Sequence, residues 1–232
     1  VLSWLSRLCI GYGEAPSGIS NYLGVKIGDC FETNVSQFST DQISLVTGYQ
    51  PAIFELSRRV TNNIRNMNVN KNLYMYATVG PNLRFKFCPK CLQYDQVPHF
   101  KVDWSLDFVR YCFIHKCLLE IKCPHCLSEV NLPYRVTDSS RKDIEIISLA
   151  QCQVCGEILY KVMPVMCKKI ALCPNGSEQL EHLRNGMAVM ASLVYGYGKS
   201  RQDGRKISLT QVGNFIKSGL CPNLHFELDP SV

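Results

Sequence analysis

Between Phe87 and Gly156 the chain carries four corners of metal-binding spacing: Cys88/Cys91, Cys112/His115, Cys123/Cys126 and Cys152/Cys155. Two residues stand between the members of each pair, which lets both side chains reach one ion from a single tight turn. A tetrahedral zinc ion takes four N or S ligands, so eight ligands suffice for two closed sites. Twenty residues separate the first two corners, seven the middle two and twenty-five the last two. Sequential pairing assigns Cys88, Cys91, Cys112 and His115 to one zinc, and Cys123, Cys126, Cys152 and Cys155 to a second. Each set then brackets its own segment containing a β-like run, residues 100–106 in the first and 145–149 in the second. An interleaved cross-brace, first corner with third and second with fourth, is the topological alternative.

Disulfides compete poorly with metal here. Thirteen cysteines is an odd number, and neither a signal-peptide pattern nor an apolar run of membrane-spanning length accompanies them. That usage leads us to expect a reducing, cytoplasmic setting. Because protein side chains fill all four positions of each set, both zinc ions are expected to be structural. Modules this small hold little apolar mass beyond Trp104, Leu106, Phe108 and Tyr111, so metal must supply much of their folding free energy.

The flanks read as helical. Leu2, Leu5, Leu8 and Cys9 recur at helical spacing beside Trp4, and the run stops near Gly11 and Gly13. A second short helix is expected over 19–25, capped by Ser17 and ended at Gly24. A third spans Thr40–Thr47 with Gly48 just beyond its end. A fourth opens at Pro51 and runs through Ile53, Leu56, Val60 and Ile64. Short helices joined by glycine turns suit a helix-turn-helix, although a plain helical bundle has the same periodicity. Past the metal region, Ser177 caps a helix over 178–195. Residues 196–205 read as a flexible, basic, Gly-rich linker, and Ser208 opens a last helix through Phe215. Residues 157–163 read as a strand-like return, and Cys167 and Cys173 as core thiols.

The fold expected is therefore mainly α with small β hairpins. It has an N-terminal helical, helix-turn-helix-like domain (1–82), a tandem zinc-ribbon-like finger region (83–165) and a C-terminal helical region (166–232). A net charge of +6 over 232 residues permits nucleic-acid contact without demanding it. Arg58 and Arg59 follow one another on the fourth helix, and Arg84, Lys86, Lys90, Lys101 and Arg110 tint the metal region basic. Nucleotide-binding loops, Gly-x-Ser-x-Gly elbows and metal sets with a vacancy are absent from the sequence, so the expectation is a binding module without catalysis. Cys117, two residues past His115, reads as a packed thiol beside the first metal.

Particular residues go further than pattern. Leu2-Ser-Trp-Leu-Ser-Arg-Leu, Phe87-Cys-Pro-Lys-Cys-Leu-x-x-Asp95, Trp104-x-Leu106, Cys112-x-x-His115-x-x-x-Leu119 and Cys123-Pro-His-Cys126 together resemble the TniQ family, which includes the longer TnsD proteins. The likeness covers about Val1 to Glu129. It departs at Phe113, where proline often follows the cysteine, and at Lys116, which replaces a glycine. The resemblance implies a bacterial transposition targeting protein that links a target-site recogniser to the AAA+ ATPase TnsC. The recogniser in CRISPR-associated transposons is an effector with its guide RNA, whereas TnsD-type proteins read a DNA site themselves. The contact surfaces so implied are the first helix with Trp4 and Arg7, the basic face of the fingers, and the linker with Lys199, Arg201, Arg205 and Lys206. Target DNA and a second copy of the chain are further partners, and a membrane is not. Two rivals remain: a stand-alone regulator that reads DNA as a dimer, and a cross-brace ubiquitin-ligase module, which needs the interleaved topology.

Overall fold

In the computed structural model the described residues are 2–24, 40–48, 50, 52–67, 78–79, 82–132, 145–167, 174–200 and 202–217. Helix α1 spans Leu2–Tyr12 and α2 spans Pro16–Tyr22. Pro16 takes the first helical position, where its missing N–H costs nothing. Ala15, not Ser17, is thus the N-cap, and the expected cap is the second residue of the helix. Gly24, just past the end, adopts φ +65°, the left-handed conformation that glycine reaches without a Cβ penalty. Helix α3 spans Thr40–Thr47 and is followed by Gly48 at φ +71°. Helix α4 spans Ala52–Met67. The expected helix-turn-helix falls partly on 25–39, 49 and 51, which lie outside the described residues.

Strands β1 (Thr78–Val79) and β2 (Asn82–Leu83) form a two-stranded antiparallel hairpin. Helix α5 (Pro89–Tyr94) starts from Cys88, whose sulfur accepts the Cys91 amide at 3.4 Å. The run expected as a strand at 100–106 is instead a 3₁₀ turn over Val102–Ser105, closed by the Ser105 hydroxyl donating to the Val102 carbonyl at 2.6 Å. Residues 145–149 are irregular. The return at 157–163 holds one bridge, Gln151 with Ile158, and then a 3₁₀ turn over Leu159–Lys161. In each case the periodicity is real but too short to require a ladder, and local turn chemistry wins.

Helix α6 runs over Pro174–Tyr195, starting before the expected Ser177 cap. The stretch expected as a flexible linker is a second antiparallel hairpin of β3 (Tyr197–Lys199) and β4 (Lys206–Ser208). Helix α7 (Leu209–Lys217) follows directly. Ser208 and Gln211 cap it reciprocally: the Gln211 amide donates to Ser208 Oγ at 3.3 Å, and the Ser208 amide donates to Gln211 Oε1 at 3.0 Å. The described architecture is mainly helical with two small hairpins and two Cys/His clusters.

One buried core joins these parts. Phe85 meets Phe100 edge to face at 6.2 Å, and Phe100 meets the fully buried Trp104 at 6.1 Å. Ser3 on α1 accepts the Phe100 amide at 2.8 Å, tying the first helix to the metal region. Helix α4 packs against α6 and α7. Asn63 Nδ2 donates to the Leu193 carbonyl at 2.7 Å across the first contact. Among the described residues no helix is long and apolar enough to cross a membrane.

Candidate metal centres

Three of the four corners are copies of one turn. In the Cys112 corner, the Cys112 amide donates to the Cys117 carbonyl and the Lys116 amide to the Cys112 carbonyl, both at 2.8 Å. The Cys123 corner repeats this with Ser128 and Leu127, and the Cys152 corner with Glu157 and Gly156. The flanks close each time by an antiparallel bridge, Tyr111 to Leu118, Lys122 to Glu129 and Gln151 to Ile158. The residue four places after the first ligand is left-handed in all three: Lys116 at φ 53°, Leu127 at 60° and Gly156 at 74°. Non-glycine residues pay for that conformation in steric energy, which gives physical content to Lys116 standing in place of a glycine. The Cys88 corner is different, being built at the N-terminus of α5.

These turns bring the eight side chains into two clusters. One contains Cys88, Cys91, Cys112 and His115, the other Cys123, Cys126, Cys152 and Cys155, with ligand atoms in each set within 4.8 Å of one another. The grouping is sequential, not interleaved, which removes the cross-brace module from consideration. His115 presents Nδ1, at 3.5 Å from Cys88 Sγ, 3.3 Å from Cys91 Sγ and 3.8 Å from Cys112 Sγ. Sulfur pairs stand 3.7 Å apart in both clusters: Cys91 with Cys112, Cys123 with Cys155, and Cys126 with Cys152. A tetrahedron of about 2.3 Å metal–sulfur bonds has edges of about 3.8 Å, whereas a disulfide bond is about 2.05 Å. The geometry fits a metal ion and excludes a bridge between these pairs. Every described cysteine is a free thiol.

Polar groups around the clusters steady the sulfurs. Amides of Cys91, His115 and Val154 point at Cys88, Cys112 and Cys152, each at 3.4 Å. Lys101 Nζ lies 3.6 Å from Cys91 Sγ, placing a cation on the first cluster. Ser128 Oγ is 2.9 Å from Cys126 Sγ. Burial raises the Cys126 thiol, but hydrogen bonds from the Ser128 hydroxyl and amide override it and bring the pKa down to about 6. Cys117 occupies the same place in its turn as Ser128 does. It is fully buried, with Sγ 3.5 Å from Cys88 Sγ, so it packs beside the first cluster as the sequence leads one to expect. Sequence reading missed Ser128, and it named Lys101 only among the basic residues of the region, without placing it on the cluster. A shared offset of five from the first ligand marks Cys117 and Ser128 alike, and would have found the latter.

The cations expected at contact surfaces fall into distinct environments. Lys86 is buried, and its ammonium donates to the carbonyls of Leu106 (2.7 Å), Asp107 (3.2 Å) and Val109 (2.6 Å). Burial lowers its pKa to about 8 against the pull of Asp107. It pins the 106–109 turn and is unavailable to a partner, because three carbonyls converge where a phosphate would have to come. Arg84 pairs with Glu129 at 2.8 Å, and Arg58 with Glu55 at 2.9 Å. Trp4 is half-buried against the core. Arg7, Arg59, Arg110, Arg205 and Lys206 are exposed, and Lys90 and Lys199 are half-buried. Arg201, Cys173 and the residues after 217 lie outside the described residues. Cys167 is buried, as expected of a core thiol, and burial raises its pKa.

Comparison with the curated proteins finds no match. The family model for TniQ matches residues 1–119. The matched stretch runs from α1 to the end of the Cys112 turn, so it contains the whole first cluster and the Ser3–Phe100 contact that ties α1 to it. On that match, which spans half of the chain, the protein belongs to the TniQ family of transposition-associated proteins.

Proposed function

We propose that this chain selects transposition targets as an adaptor. It links an RNA-guided CRISPR effector complex and its guide RNA on one side to the AAA+ ATPase TnsC on the other, at the target DNA. The observation that carries this reading is the TniQ match over 1–119, which takes in the first helix and the entire first metal cluster. In this reading both clusters hold zinc as scaffold: Cys88, Cys91, Cys112 and His115 hold one ion, and Cys123, Cys126, Cys152 and Cys155 the other. Zinc bound there neutralises thiolate charge and fixes the turns. The chain itself contributes surfaces and effective concentration, holding the ATPase beside chosen DNA, and makes or breaks no bonds. The exposed Arg7 and Arg59, with Lys90 and Arg110 on the fingers, are its candidate contacts, and two copies of the chain can pair. We retain the division at 82/83 and 165/166 as a functional one, with a helix-turn-helix in the first part.

The test is a pull-down of tagged protein from cells carrying the neighbouring genes, with bound nucleic acid sequenced. Guide RNA recovered together with effector subunits and the ATPase supports the adaptor. One specific DNA site recovered without RNA would instead make the chain a stand-alone attachment-site reader.

A further inference from the structure

A fifth sulfur is in contact with the first cluster. Cys117 Sγ lies 3.5 Å from Cys88 Sγ, the same separation as that between Cys88 Sγ and the ligand nitrogen of His115. That is close to one edge of a zinc–thiolate tetrahedron. The residue is fully buried, and among the described residues its thiol has no hydrogen-bond partner but that sulfur. Its backbone is held from both sides. The Cys117 carbonyl accepts the Cys112 amide at 2.8 Å. On the other side the Leu118 amide donates to the Val165 carbonyl at 2.8 Å, and the Cys167 amide to the Lys116 carbonyl at 2.7 Å. Cys117 is thus the middle of three paired segments, and its thiol approaches the cluster from a fixed backbone.

The second cluster supplies the comparison. Ser128 stands five places after Cys123, as Cys117 does after Cys112. Its Oγ lies 3.5 Å from Cys152 Sγ, so each of these residues touches the first cysteine of the opposite corner. A hydroxyl there serves only to hydrogen-bond the ligand sulfurs. A thiol in the same place has a second capacity, because zinc takes cysteine sulfur as a ligand. Cys91 has no such neighbour among the described residues: its sulfur contacts are with Cys112 and His115, both members of the set, and with the Lys101 ammonium.

We infer that Cys117 is a reserve ligand of the first centre and takes the place of Cys88 when that ligand is lost. The inference rests on the reading that this cluster holds zinc. The exchange keeps the donor set at three sulfurs and one imidazole: Cys91, Cys112, His115 and Cys117. Cys117 gives its proton to the departing Cys88 thiolate as it becomes the thiolate ligand. One metal–sulfur bond replaces another, one S–H bond replaces another, and the net charge beside Lys101 is unchanged. The turn that carries Cys112 and His115 then supplies three of the four ligands, and the α5 corner supplies Cys91 alone. Cys88 is thereby released, still at the N-terminus of α5, without loss of the ion.

The experiment uses the full chain, loaded with zinc for elemental analysis and with cobalt as a spectroscopic probe. Cys88→Ser should keep both metal equivalents, because serine is a favoured N-cap for α5 and Cys117 completes the set. Its thiolate-to-cobalt charge-transfer absorption should match that of the parent, which has three cysteines in the first cluster and four in the second. Cys88→Ser/Cys117→Ser should fall to one equivalent. One equivalent in Cys88→Ser, or two in the double variant, would overturn the assignment. The second centre tests the same place independently of how the first module folds. Cys152→Ser should lose one equivalent, and Ser128→Cys/Cys152→Ser should regain it; no recovery there would overturn the assignment equally. A parent that binds fewer than two equivalents would sink the zinc reading of the clusters, and the reserve ligand with it, whereas failure of the variants beside a fully loaded parent sinks the reserve ligand alone.

Discussion

Cys91 and Cys117 are both buried thiols near one cluster, yet their geometry separates their roles. Cys91 Sγ is within bonding-tetrahedron distance of Cys112 and His115, whereas Cys117 touches Cys88 from outside the set. Cys91→Ser should lose one of two metal equivalents by elemental analysis and unfold the first module. Cys117→Ser should keep both, since Ser128 shows that a hydroxyl fits this place and can donate to a ligand sulfur. Full metal content in Cys91→Ser would refute the ligand assignment. The left-handed turn positions are a second residue-level test. Lys116→Gly should raise stability by roughly 0.5–1 kcal/mol in chemical denaturation, and Gly156→Ala should lower it by about 1 kcal/mol. Equal and opposite failure of both would mean that the three turns do not share one backbone conformation.

Packing between elements decides which glycines matter. On α7 the Gly213 position meets the backbone of Met67 at the end of α4, and backbone cannot rotate away. Gly213→Ala should therefore cost about 1–3 kcal/mol, read as a lower denaturant midpoint. Gly11 lies in α1 with nothing within 4 Å of an added Cβ. There the same change should stabilise by up to about 1 kcal/mol, since alanine is the better helix former. The elements themselves were unevenly legible. α3 was readable from its length, its flanking Thr and Gly48, and α1 from its apolar spacing. The hairpin β3–β4 was not, because strands of three residues are too short for alternation to stand out from a basic, glycine-containing stretch. Its order comes from α6 and α7, which hold its ends.

At the scale of the whole molecule the clusters are part of the core and not attachments to it. Phe113, between two ligands of the first cluster, places its ring 3.3 Å from the Cβ position of Gly186 on α6, and Ser3 ties α1 to Phe100. Metal binding of about 10 kcal/mol per site is as large as the whole stability of an ordinary domain. Chelation should consequently melt helices as well as fingers: far-UV circular dichroism should fall together with metal loss, and zinc should restore it. A helical signal and melting midpoint that survive removal of both ions would show the helical parts to be independent of the centres.

Sequence alone marked the eight candidate ligands, because each corner is written as residue type at fixed spacing and is closed by its own local turn, whereas the sequential grouping of the corners came from the tertiary structure. It also carried the family, since the matching residues lie in one continuous stretch from α1 to Leu119. Tertiary structure alone decided the fate of the cations. Lys86 and Lys90 look alike in the chain, but one is drawn inward by three carbonyls that the 106–109 turn happens to gather, while the other stays at the surface. Likewise Lys199 and Lys206 become a facing pair only through the register of β3 on β4. Burial and strand pairing depend on residues far away along the chain, and no local pattern encodes them.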